Sequence, residues 1–265
     1  MKDIWVSVSG AIAQQKNVDT IANNVANINT PGFKKDSQIF KEHLTALSKG
    51  NPNALPNKEW APGDFYKTYG AEQAYVKSDG TYTNFAQGKM IPTGNSLDLA
   101  LRGKGFFEVD SPNGVRYSRN GSLSISGQGI LVNSNGFPIL AKSDGETNVK
   151  ERYIKIPPGK TFINLQGEIF TNNVKVKNLS VVEFKELQKL NKEGDSLFVN
   201  TAKDNINEQE PTTAVYQGYS ETSNVNALQE MSDLIKASRQ FETIQRVIKT
   251  YDSIAGKAVN EIAKF

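Results

Sequence analysis

The sequence predicts an α+β chain in which long N- and C-terminal α-helices form a coiled-coil-like helical domain, with a central all-β domain that is antiparallel and barrel- or sandwich-like. Three observations predict it. Apolar residues recur at heptad spacing at both ends of the 265-residue chain. The middle instead carries short alternating runs separated by glycine turns. Between the first helix and the β runs lies a stretch rich in Pro and aromatic residues that suits neither pattern. The resulting division is 1–45 with 220–265 as the terminal helical domain, 46–80 as an extended connector and 81–219 as the β domain.

In the first element, alternating steps of four and three visit Ile4, Val8, Ala11, Gln15, Val18, Ala22, Val25 and Asn29, with Ile21 and Ile28 widening the apolar face. A helix from Lys2 to Ile28 would be about 40 Å long. Thr30-Pro31-Gly32 ends it, because Pro disfavours helix at the preceding residue and Gly permits the turn. Four Asn interrupt the last turns of "TIANNVANINTPGFKK". Asn is a mediocre helix former, but uncharged amides suit a flank packed against other helices, where charge would be costly to bury. Fraying ahead of Pro31 is the plainer alternative. His43 is expected on the surface of this helical region.

The connector, with Pro52, Pro56 and Pro62, is expected to run extended and to be pinned by Trp60, Phe65, Tyr66 and Tyr69. In the β region Leu97, Leu99 and Leu101 alternate with Ser96, Asp98 and Ala100 before "FFEV". Asn120-Gly121, Gly127 to Gly129 and Asn135-Gly136 read as hairpin turns, and "KVKNLSVVEFK" as a further strand. The final element repeats the heptad steps from Ala227 through Met231, Leu234, Ser238, Phe241, Gln245, Ile248, Asp252, Ala255, Val259 and Ile262. Extending to Ala263, it would span about 55 Å.

Composition restricts the chemistry. With 31 Lys and Arg against 28 Asp and Glu, no broad positive field points to nucleic acid or anionic membrane. The absence of Cys removes disulfides and thiolate sites, and a single His makes most zinc and acid–base chemistry improbable. No apolar run reaches membrane-spanning length. The start imitates a short signal peptide ending in "AIA" at 11–13, but Asp3, Ser7, Ser9 and Gly10 dilute it and the helical repeat continues beyond, so no cleavage is expected. Gly103-Lys104-Gly105 suggests a phosphate loop, but lacks a third Gly and runs from strand to strand. Asp98, Glu108 and Asp110 could form a glycosidase pair only through folding, and read better as scattered solvated carboxylates. No catalytic, cofactor or metal site is expected.

"ANNVANINTPGFKK", "SLDLALRGKGFFEV", "YSRNGSLSISGQGILVNSNGFPIL" and "SNVNALQEMSDLIKASRQFETIQRVIKTYD", in that order, resemble the flagellar basal-body rod and hook family. The resemblance covers both ends and the first half of the β region; residues 144–217 carry no such motif. It implies a structural, non-catalytic subunit of a torque-transmitting axial tube crossing the periplasm, exported by the flagellar type III route without cleavage. Its partners would be copies of itself, other rod proteins and the export apparatus, with no nucleic acid, small-molecule substrate, cofactor or membrane insertion. Subunit contacts would fall on Val8, Ala11, Val18, Ala22, Asn23, Asn24, Val25 and Asn27 of the first helix. On the last helix they would fall on Met231, Leu234, Phe241, Ile248, Ala255, Val259 and Ile262. The 46–75 segment favours the FlgF type over the distal-rod FlgG type, and hook proteins are usually longer. A reading from another class is a cell-wall hydrolase with an oligomerisation stalk, using Glu108, Asp110 or Glu168.

Overall fold

The structure, a computed structural model, describes residues 3–44, 74–143, 148–207 and 209–262. Two helices stand where the heptad patterns lie: α1 (Asp3–Ala26) and α2 (Ala227–Ile262), of 24 and 36 residues. At a rise of 1.5 Å per residue they are about 36 and 54 Å long. The chain divides into two units, one comprising Met1–Asn23, Asp36–Tyr82 and Leu228–Phe265, the other Asn24–Lys35 and Thr83–Ala227.

The first unit corrects the expectation of a coiled-coil-like helical domain. Among the described residues it contains a two-stranded sheet as well as helix, built from β1 (Asp36–Leu44) and β2 (Ala74–Thr83). Helix α1 is bonded to this strand pair: Val76 N donates to Ser9 Oγ (3.2 Å) and Thr20 Oγ1 to Gln38 Oε1 (3.2 Å). The two helices touch where side chains are small or polar. Ala13 and Ala237 are buried, and Gln14 Nε2 donates to Ala237 O (3.1 Å) and Gln240 Oε1 (3.0 Å). Neither Ala lies on the predicted seam. A coiled coil buries its a and d positions along its length, whereas here Met231 is 49% and Val259 66% exposed, and every residue from 251 to 260 is exposed. The period reports that an apolar stripe exists, not what covers it. His43 falls in strand β1, not in a helix. Most of the expected connector, with its pinning aromatic residues, lies outside the described residues.

The second unit is antiparallel throughout its named strand pairs. Its strands are β3 (Met90–Pro92), β4 (Leu99–Arg102), β5 (Phe106–Ser111), β6 (Gly114–Ser118), β7 (Leu123–Ile125) and β8 (Leu131–Asn133). They continue with β9 (Thr161–Ile163), β10 (Glu168–Thr171), β11 (Val174–Asn178), β12 (Val181–Val182) and β13 (Leu190–Glu193). β14 (Leu197–Asn200), β15 (Ala214–Gln217) and β16 (Tyr219–Glu221) complete the unit. The largest sheet runs β12-β5-β6-β14-β13, a second β11-β10-β9, and the pairs β15-β4, β16-β3 and β7-β8 fill the remainder.

Alternation along β5 sends Phe107 and Val109 into the main core with Leu99, Leu101, Leu131, Ile139 and Ile169. Phe106 faces the other way, into an aromatic cluster with Tyr117, Phe184 and Phe198. The rings meet edge to face, Tyr117 and Phe184 at 4.8 Å between centroids and Phe106 and Phe198 at 5.6 Å. Two of the glycine signals make turns: Gly129 N donates to Ser126 O and Gly136 N to Asn133 O. Asn120-Gly121 does not. Leu99 N donates to Gly121 O (2.8 Å), and a Cβ on Gly121 would stand 1.7 Å from Leu99 O, so this Gly serves close backbone approach. A two-residue hairpin without Gly uses Asn172-Asn173, both with positive φ, between β10 and β11.

Candidate assembly surface and the seat of the terminal segments

Among the described residues of the first unit, helix α2 carries the largest apolar exposure. Leu228 is 82% exposed, and Ile235, Ile254 and Tyr251 are also largely open to solvent. Of the predicted contact residues on this helix, Leu234, Phe241 and Ile248 are half-buried, whereas Met231, Ala255 and Val259 are exposed. Ile262 is helical, and its side chain lies outside the described ones. On α1, Val8, Ala11, Val18 and Val25 are half-buried and Ala22 and Asn23 exposed, with Trp5 and Ile12 among the exposed apolar side chains.

The amide-rich end of α1 has an internal role that the sequence did not disclose. Asn24 is 1% exposed within the single chain. Asn27 N, Ile28 N and Thr30 N donate three residues back, to Asn24 O, Val25 O and Asn27 O, and Thr30 Oγ1 donates to Asn27 Oδ1 (3.0 Å). These tightened bonds satisfy carbonyls that the helix end would otherwise orphan. Gly32 then turns with φ +69°; a Cβ there would lie 2.4 Å from the Arg119 carbonyl carbon.

Beyond that turn, residues 32–35 are seated in the second unit by a buried charge cluster. Lys34 Nζ donates to Glu221 Oε1 (2.6 Å) and Ala86 O (2.9 Å), and Arg119 Nη1 reaches Glu221 Oε2 (3.4 Å) and Leu101 O (3.3 Å). Gly88 N donates to Glu221 Oε1 (3.0 Å), and Arg119 Nη2 is also bonded to Gly103 O. Lys34 and Glu221 are essentially inaccessible to water. Burial pulls the Lys34 ammonium below its ordinary pKa against the opposing pull of Glu221, and burial likewise lowers Arg119. Above Lys34, Phe33 lies under Lys192 Nζ, 3.7 Å from the ring centroid, and the same ammonium donates to Lys34 O (2.7 Å).

The carboxylates that might have been catalytic are each committed elsewhere. Glu108 is buried rather than solvated: it is paired with Arg152 and accepts from Ser180 Oγ (2.6 Å). It lies on the Phe106 face of β5, which corrects the expectation of a solvated carboxylate. Asp110 accepts from Tyr153 OH (2.6 Å), a bond that raises the Tyr153 pKa to about 12. Glu168 is paired with Lys175 and accepts from Asn164 Nδ2, which lowers its pKa. Asp98 accepts from Asn95 Nδ2 (3.3 Å). In the Gly103-Lys104-Gly105 loop, Gly103 N donates to Gln87 Oε1 and Gly105 N to Thr213 Oγ1, so these amides are already spent. Among the described residues no group of His, Asp and Glu is placed to hold a metal ion.

Three stretches of the chain match family profiles. Residues 4–34 match one described as flagella basal body rod protein, 100–177 one described as flagellar hook protein FlgE/F/G D1 domain, and 216–261 one described as flagellar basal body rod FlgEFG protein C-terminal. A "Flagellar basal-body rod protein FlgF" of Caulobacter vibrioides is 30% identical over 262 residues, covering 98% of both chains. The chain belongs to the flagellar basal-body rod protein family. Other rod-family relatives are named FlgG: one of Buchnera aphidicola subsp. Schizaphis graminum is 31% identical over 96% of this chain and 97% of its own. One of Bacillus subtilis is 29% identical over 98% of each. FlgF and FlgG relatives therefore fit this rod-family chain equally well. The buried cluster takes one charge from each matched stretch: Lys34, Arg119 and Glu221.

Proposed function

We propose that the chain is a structural, non-catalytic subunit of the flagellar basal-body rod, joining copies of itself and other rod proteins in the torque-transmitting axial tube across the periplasm. The observation that carries this reading is the end-to-end match to proteins named for that rod. The surface of α2 supports it, because apolar side chains this exposed lose contact with water only by packing against further helices. Subunit contacts are assigned to the predicted positions on both helices except Asn24, which the chain itself already buries, with Met231, Leu234, Phe241 and Val259 foremost. The commitment of Glu108, Asp110 and Glu168 to Arg152, Tyr153 and Lys175 favours a framework over a hydrolase. Delivery by the flagellar export apparatus without signal cleavage completes the proposal.

Deleting the gene tests it. Electron microscopy of basal bodies should show the inner-membrane ring retained, no filament and no motility. A deletion strain that rotates complete flagella would refute the assignment.

A further inference from the structure

We infer that the buried seat is a two-ended latch: residues 32–35 and 221–224 close on one another as one cooperative step, so the roots of both terminal helices are ordered together or not at all. Four bonds join the two segments directly. Gly32 N donates to Glu221 O (2.8 Å), Lys34 Nζ to Glu221 Oε1 (2.6 Å), Lys35 N to Asn224 Oδ1 (2.8 Å) and Asn224 N to Phe33 O (3.4 Å). Asn224 Nδ2 then ties this joint to Asn84 O and Ala86 O.

The chemistry makes the closure cooperative. With residues 221–224 withdrawn, Lys34 would keep Ala86 O but lose its anion, and an unpaired ammonium does not remain in a site without water. Withdrawal of 32–35 leaves Glu221 facing Arg119 at 3.4 Å, with the Lys34 site vacated. Lys34 therefore needs Glu221 to stay buried, and by linkage whatever 221–224 contributes to seating 32–35 is returned to 221–224. Since a chain is made from its N-terminus, residues 32–35 have no seat until Glu221 and Asn224 arrive. The element sequence places α1 directly before one half of the latch and α2 directly after the other.

Amide hydrogen exchange on the isolated full-length chain tests this without reference to rod assembly, so its failure would leave the family assignment and proposed function untouched. In Glu221→Gln, exchange at 32–35 should rise by about tenfold or more over wild type and stay faster than at 99–109 in the core. In Lys34→Met, exchange at 220–224 should rise in the same way. Should Glu221→Gln fail to fold, Asn224→Ala removes a neutral partner of both sides and should loosen 32–35 alike. Wild-type exchange at 32–35 in Glu221→Gln or Asn224→Ala, or at 220–224 in Lys34→Met, would overturn the latch.

Discussion

At Glu221 one carboxylate serves two buried cations, and this makes the cluster asymmetric. Replacing it by Gln strands both Lys34 and Arg119, and we expect a loss of about 3–5 kcal/mol in unfolding free energy. Lys34→Met leaves the Arg119–Glu221 pair in place and should cost less, about 1–3 kcal/mol. Chemical denaturation of both variants checks the order; equal losses would mean that Arg119 does not share the charge. A second residue-scale expectation concerns alkali. Tyr153 is raised to about 12 by its bond to Asp110, and Tyr117 to about 12 by burial and then by Glu108, from an ordinary 10.0. Folded pKa values above the unfolded ones give stability that is complete below pH 10 and lost as pH rises toward 12. Tyr153→Phe should flatten that loss, as followed by circular dichroism between those limits. Neither the charge cluster nor these bonds was legible in the sequence, because Lys34 and Glu221 are 187 residues apart and no local pattern links them. Glu108 was misread for the same reason: it was expected to be solvated, and its cover comes from Arg152 and Ser180, 44 and 72 residues away.

The helices show what periodicity conveys and what it omits. Their extents agree with the heptad steps to within a few residues, since a 3.6-residue period and a Pro-Gly stop are local properties of the chain. Their covering is not local, and so the coiled coil was not realised: a strand pair from 36–44 and 74–83 bonds to α1, and its halves are far apart in sequence. Leu234→Asp and Ile248→Asp remain sharp tests of the surface. Each should block assembly into rods, since a desolvated carboxylate there costs about 3 kcal/mol or more per subunit, while leaving the melting of the β unit unchanged. Cells carrying L234D that swim normally would show the contact surface to lie elsewhere. In the β unit, hairpin turns at 126–130 and 133–137 were legible from Gly chemistry, whereas the 172–173 turn was not, its two Asn carrying positive φ without Gly. Asn173→Val should destabilise that hairpin by about 1–2 kcal/mol, because a β-branched residue resists the left-handed region.

For the whole molecule, burial separates a core-bearing unit from helices with open surfaces. The larger apolar core lies entirely between Leu99 and Val215, while α2 is exposed over its last described turns. Trypsin acting on verified monomer should therefore cut the terminal helices first and leave a resistant fragment of roughly residues 83–227 with the seated 24–35 still attached, identifiable by mass spectrometry. An N-terminal helix that outlasts this fragment would contradict the expectation. The closeness of residues 32–35 to 221–224 has a mechanical side as well. Tension applied between the two chain ends enters and leaves the β unit at one point and is borne there by the bonds around Glu221. Such a load path shields the sheet from forces acting along the terminal segments, and leaves the intervening chain free to vary in size without altering the joint that bears the load.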